Sequence, residues 1–127
     1  MHFLEIKKEI YALNVPPFVI EKVSDHFQNV IHKRRAEQGQ KMYHLYMKEA
    51  IERIRFLNTL PFTEARYLEE NCREHPVTTT ICGDEVAIQI FNEEKDSRPV
   101  VILIKDEHVA GAYRQHFFTI WKLAKKP

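Results

Sequence analysis

Three glycines and six prolines in 127 residues leave little room for flexible linkers. Two cysteines, Cys72 and Cys82, are too few for a disulfide framework, so the expected compartment is the cytoplasm, with both thiols reduced. The longest apolar runs fall far short of a membrane span, and no signal-peptide pattern opens the chain. Charge of one sign is missing too. Lys and Arg number 19 against 18 Asp and Glu, so net charge gives no pull towards nucleic acid or a membrane surface. Serine occurs only as Ser24 and Ser97, which nearly removes serine-nucleophile chemistry, and there is no glycine-rich phosphate loop and no nucleophile elbow.

What is present is an ordinary globular balance, 44% apolar and 29% charged, sized for one domain with one core over residues 1–127. Glu9–Val15 is β-branched and aromatic enough for a strand that Pro16-Pro17 ends. A helix should follow from Phe18, with Val19, Ile20, Val23, Phe27, Val30 and Ile31 in one arc of about 120°. Gly39 is its expected C′ residue, after a Lys33-Arg34-Arg35 cluster that suits the negative end of the helix dipole. Lys41–Met47 alternates as a second strand, Lys48–Leu60 is amphipathic, and Glu64–Leu68 is a short third strand.

From Val77 the period changes. VTTTI and EVAIQIF are predicted strands joined at Cys82-Gly83-Asp84, a plausible tight hairpin. Pro99–Lys105 is a near-continuous apolar run, which predicts a strand buried on both faces. Asp106 can N-cap a final helix whose apolar arc holds Val109, Ala110, Tyr113, Phe117, Ile120, Trp121 and Ala124. The order β-α-β-α-β-β-β-β-α implies an α/β fold, a mixed sheet flanked by helices, with right-handed crossovers in its first half.

Three stretches in this order resemble the C-terminal half of TrmB-like transcriptional regulators. They are HKRRAEQGQKMYHLY, then LPFTEARYL, then TTTICGDEVAIQIF with RPVVILIKDEHVAGAYRQHFFTIWKLA. The resemblance spans Ile10 to Ala124. It implies a phospholipase-D-like effector domain that binds a sugar or other small metabolite, joined in the family to an N-terminal winged helix that binds DNA. Nothing before Ile10 could hold a winged helix, so DNA contact is expected only through a separate or removed domain.

Phospholipase-D-like enzymes need H-x-K-x-x-x-x-D, in which His attacks phosphorus and Lys neutralises phosphate oxygens. With Asp84 as the motif's Asp, the His and Lys positions hold Val77 and Thr79; with Gly83 there, they hold Pro76 and Thr78. None of the seven histidines opens an H-x-K, so the domain is expected to be non-catalytic. Asp84 itself is either ordinary turn chemistry or a ligand contact.

Three residues are candidate ligand contacts. Arg34 falls inside the apolar arc of its helix while Lys33 and Arg35 point elsewhere; it either reaches a ligand or snorkels past the helix end. Arg66 either holds an anionic or polyhydroxyl ligand at a strand end or pairs with Glu64. Tyr43, with His44 and Tyr46 beside it, offers stacking and hydrogen-bonding groups for a sugar, or belongs to the core. Cys72, His75 and Cys82 are too sparsely spaced for zinc, and no metal or cofactor is expected. Phe18 and Phe118 lie outside their helical arcs and hint at a self-association surface, in keeping with a homodimer. The expected function is therefore small-molecule sensing and dimerisation within a transcriptional regulator. A ligand-free interaction module, or an enzyme with unrelated chemistry in the same crevice, stays open beside it.

Overall fold

The computed structural model describes residues 2–13, 25–69, 77–90 and 100–127. A short helix α1 (His2–Ile6) leads into strand β1 (Ile10–Leu13). Helix α2 (Asp25–Glu37) and strand β2 (Met42–Met47) follow. A 3-10 turn at Lys48–Ala50 opens into helix α3 (Ile51–Leu57), and strand β3 spans Thr63–Leu68. Strands β4 (Val77–Cys82), β5 (Glu85–Ile90) and β6 (Val100–Lys105) precede the long helix α4 (Glu107–Leu123). Among the described residues the expected order of strands and helices holds, with α1 added; residues 18–24 of the predicted first helix lie outside them. No apolar period announces a five-residue helix, yet its Phe3 and Leu4 are buried.

One six-stranded mixed sheet carries the molecule, in the order β3-β2-β1-β4-β5-β6. β1, β2 and β3 are parallel neighbours, as two strand-helix-strand crossovers require, while β4, β5 and β6 alternate antiparallel. Strand alternation divides the side chains between two faces. Tyr11, Leu45, Ile81 and Val86 pack with Ala110, Phe117 and Trp121 of α4. On the opposite face Tyr46 and Ala65 pack with Ile54 and Leu57 of α3, and Ile10, Cys82 and Ala87 pack with Phe3 of α1.

The local signals act as expected at three places. The Asp106 carboxylate accepts from the backbone N–H groups of His108 and Val109, each at 2.9 Å, and starts α4. Gly39, at φ +65°, ends α2, with the Gln40 N–H returning to the Arg35 carbonyl at 3.0 Å. Gly83, at φ +60°, takes the first central position of a two-residue hairpin closed by the Cys82–Glu85 pair. A Cβ on Gly83 would also come within 3.3 Å of Ile6 and Lys8, so the turn is pressed against the chain entering β1.

One expectation is overturned. Val100–Lys105 is not buried on both faces: β6 is an edge strand, and Val100, Val101, Ile102 and Leu103 are exposed. An unbroken apolar run reports that both faces of a strand are apolar. Whether anything covers them depends on where the sheet places the strand.

Candidate ligand-binding surface

Tyr43 stands on the α4 face of β2, and its ring is stacked on Tyr11 of β1 at 5.3 Å between centroids and 8° between planes. The two residues are cross-strand partners, so the stack is built into the β1–β2 register. Trp121 of α4 meets Tyr43 edge-on at 5.6 Å. Burial is the first cause that raises the Tyr11 phenol above its ordinary value, with the nearby Glu9 carboxylate adding to it.

Each tyrosine lines a different cleft. Tyr43, Lys41, Met42, Phe62, Thr63 and Glu64 surround one of about 260 Å³. Tyr11, Lys8, Glu9, Gly83, Asp84, Glu107 and Arg114 surround a larger one of about 440 Å³. The larger mixes three carboxylates with two cations, and Arg114 spans it by donating to the Gly83 carbonyl at 2.8 Å. Both clefts lie where the chain enters β1, β2 and β3. The crevice of an open parallel sheet is expected at the opposite, carboxyl ends of these strands.

The three candidate side chains are brought together only in part. Tyr43 and Arg66 converge on Trp121: the Arg66 guanidinium lies 4.3 Å above the indole and donates to the Trp121 carbonyl at 3.1 Å. Glu64 completes this arrangement with an ion pair at 3.7 Å. Arg66 therefore joins β3 to the end of α4 and lines neither cleft. Asp84 lines the larger cleft while serving as a turn residue, so its two readings are compatible.

The wheel placement of Arg34 inside the buried arc is corrected. Arg34 is exposed, and it is Arg35 that is completely buried. One Arg35 nitrogen donates to the carbonyls of Gln40 and Phe62, both at 2.8 Å. Its other terminal nitrogen reaches the Thr63 hydroxyl and, at 3.1 Å, His32 Nδ1. A helical wheel cannot anticipate this, because the carbonyl of Phe62 lies 27 residues along the chain. Phe62 adopts φ +56°, a conformation rare outside glycine, and its carbonyl accepts from both Arg35 and the Met42 N–H.

Beside Arg35 is a row of buried polar rings. His44 stacks on Tyr46 at 5.7 Å and faces His32 at 6.0 Å. Both ring nitrogens of His44 are buried without a hydrogen-bond partner. Burial, reinforced by the Arg35 and Arg53 guanidiniums, lowers His32 to about 4. Burial also holds His44 well below the usual imidazole value, and pushes the Tyr46 phenol up to about 12 against the pull of Arg53. Arg35 donates to His32 Nδ1, which can accept only from a neutral imidazole. Sequence reading singles out His44 and Tyr46 but misses His32 and Arg35 beside them, and the cleft residues Lys8, Glu9 and Arg114. The even spacing of Met42, His44 and Tyr46 in a strand places them on one face.

Cys82 is buried beside the Lys8 carbonyl, with its thiol pushed up to about 11 by burial, so it supplies no thiolate at neutral pH. Cys72, His75 and Phe18 lie outside the described residues. Phe118 is partly exposed as expected, though its ring also packs edge-on against Tyr11 at 5.2 Å. No described helix is long and apolar enough to cross a membrane.

No protein-family model matches this chain, and no curated protein sequence does. Among solved structures the fold is similar to that of TrmBL2, an archaeal chromatin protein whose structure shows a novel mode of DNA binding. The TM-score is 0.68 at 20% identity, over 99% of this chain. This chain spans 48% of the TrmBL2 chain, about half its length. It is also similar to NucT from Helicobacter pylori, with a TM-score of 0.74 at 12% identity, over 99% of this chain and 89% of that one. At these identities the likeness establishes the shared fold.

Proposed function

We propose that the chain is a non-catalytic, small-molecule-sensing and self-associating domain of a TrmB-like transcriptional regulator, with a phospholipase-D-like fold. The observation that carries this reading is the likeness of nearly the whole chain to half of TrmBL2, a DNA-binding chromatin protein. DNA contact, in this reading, comes through a separate winged-helix domain.

The non-catalytic part of this reading is supported by the residues that stand in the motif's positions around the hairpin. Cys82 is the last residue of β4, and counting back from it the motif's His position is His75 and its Lys position is Val77. A histidine is available in this third register, but valine stands where a phosphate-neutralising cation is needed and cysteine replaces the Asp.

Tyr43 is the ligand contact best supported by the geometry. It offers an aromatic face, and Lys41, Thr63 and Glu64 bring polar groups to the same cleft. Arg66 acts here by fixing Trp121 behind Tyr43. Arg34, exposed on α2, is kept as a contact only for a ligand that extends beyond this cleft.

A thermal-shift screen against sugars, sugar phosphates, nucleotides and common metabolites tests the reading. A ligand at 100 times its Kd adds about 2.7 kcal/mol of stability, which shifts the melting temperature by several degrees. Tyr43→Leu should abolish the shift while leaving the ligand-free melting curve cooperative. A ligand whose shift survives Tyr43→Leu places sensing elsewhere. Hydrolysis of a phosphodiester by the wild-type chain, lost in His75→Ala, would overturn the non-catalytic assignment.

A further inference from the structure

The two edges of the sheet are treated differently. At the β3 edge the outward-facing backbone groups are taken up in succession. The Asn58 side chain accepts from the Ala65 N–H at 2.9 Å and donates to the Ala65 carbonyl at 3.0 Å. Two residues on, Lys125 exchanges both backbone hydrogen bonds with Tyr67, at 2.9 and 2.8 Å. At the other edge β6 pairs only with β5 among the described residues, and nothing described covers its outer backbone. Open edges are normally guarded by charge, proline, a bulge or short length. β6 has five consecutive β-branched or leucine residues before its first charge, Lys105.

Val100, Val101, Ile102 and Leu103 are between 46% and 59% exposed, and they alternate between the two faces. A partner lying on one face would cover only every second residue. A strand added at the edge shields all four and also takes up the open backbone groups. Ile90, exposed and paired in register with Val100, extends the apolar surface on the α4 face.

We propose that β6 is the seam of a homodimer in which the β6 strands of two copies pair antiparallel about a two-fold axis, joining two six-stranded sheets into one. This rests on the self-association included in the proposed function and gives it a surface. The strand's sequence favours a second copy. An axis perpendicular to the sheet at Ile102 or Leu103 sets apolar residue against apolar residue along the centre of the seam. It also keeps the two Lys105 side chains at opposite ends, whereas parallel pairing would place them side by side. The seam is short. Six residues on each side fall below the roughly 20–30 of a standard interface, so the dimer is concentration-dependent.

Light scattering across a concentration series tests the proposal. The wild-type chain should pass from 15.2 kDa to twice that mass as concentration rises. Leu103→Lys and Leu103→Glu should each stay monomeric, and an equimolar mixture of the two should regain the dimer, because opposite charges then meet across the seam. In the wild-type chain, amide exchange at β6 should slow as concentration rises while exchange at β3 stays unchanged, a readout that needs no substitution. A wild-type chain that remains monomeric up to about 1 mM overturns the proposal. So does a dimer that survives both Leu103 variants, or β6 exchange that ignores concentration. The ligand-induced melting shift, read in monomeric Leu103→Lys, separates the two readings: if it persists without a wild-type dimer, sensing stands and the seam fails.

Discussion

The β3 end and the β6 end of this sheet are built from opposite materials. At the β3 end, backbone groups are tied to polar partners: two carbonyls to the buried Arg35, both polar groups of Ala65 to the Asn58 side chain, and those of Tyr67 to the Lys125 backbone. At the β6 end the exposed residues are apolar and the outer backbone is held by nothing among the described residues. A buried polar group is stabilising only while its partners are in place, so the first end is sensitive to small chemical changes. An exposed apolar edge tolerates substitution within one copy and draws its energy from whatever covers it.

The largest test of this contrast is acidification. His32 is held at about 4 and His44 well below the usual imidazole value, while an unfolded chain takes up these protons near pH 6.5. Both rings are neutral above that value in either state, so their contribution is fully present there. As pH falls from 6.5 towards 4 the unfolded state binds more protons, and stability drops by about 3 kcal/mol from His32 alone, with His44 acting in the same direction. Urea midpoints measured from pH 7 to 4.5 should fall steadily, and His32→Gln should flatten the slope. A level wild-type profile would mean that the imidazoles are not held neutral.

Next is Asn58→Ala, which leaves the partly buried N–H and carbonyl of Ala65 without their partners. A loss of about 1–3 kcal/mol is expected in urea denaturation, with an unchanged m-value. Asn58→Asp retains the acceptor and should recover part of it. If Asn58→Ala costs nothing, the closure of the β3 edge is not energetic.

The smallest effect belongs to the other end. Leu103→Thr, measured in dilute solution, should change stability by no more than about 0.5 kcal/mol, since the residue is half exposed and threonine suits a strand. A loss of several kcal/mol would show that β6 is covered within a single chain and would erase the contrast.

Much of this architecture is legible in the sequence because its causes are local. Asp106 two residues before His108, Gly83 at the head of a hairpin and Gly39 after a helical stretch each fix the backbone through contacts within five residues. Alternation in β2 and the 3.6-residue period of α4 likewise state which side chains share a face. The misreadings concern relations across the chain. Arg34 and Arg35 differ by one step on a wheel, and the carbonyl cage of Gln40 and Phe62 decides between them. Tyr43 stands out in the sequence because its residue type suggests stacking, but the cleft beside it depends on Phe62 and Thr63, which β3 brings alongside.

The sequence by itself determined the succession of elements, the faces of the strands and the cap of the last helix, since propensity and periodicity act between near neighbours. Only the tertiary structure decided which arginine is buried, which polar groups are caged and which strand ends the sheet. Those outcomes depend on backbone partners far away in the chain, and the apolar run of β6 reads the same whether its faces are covered or open.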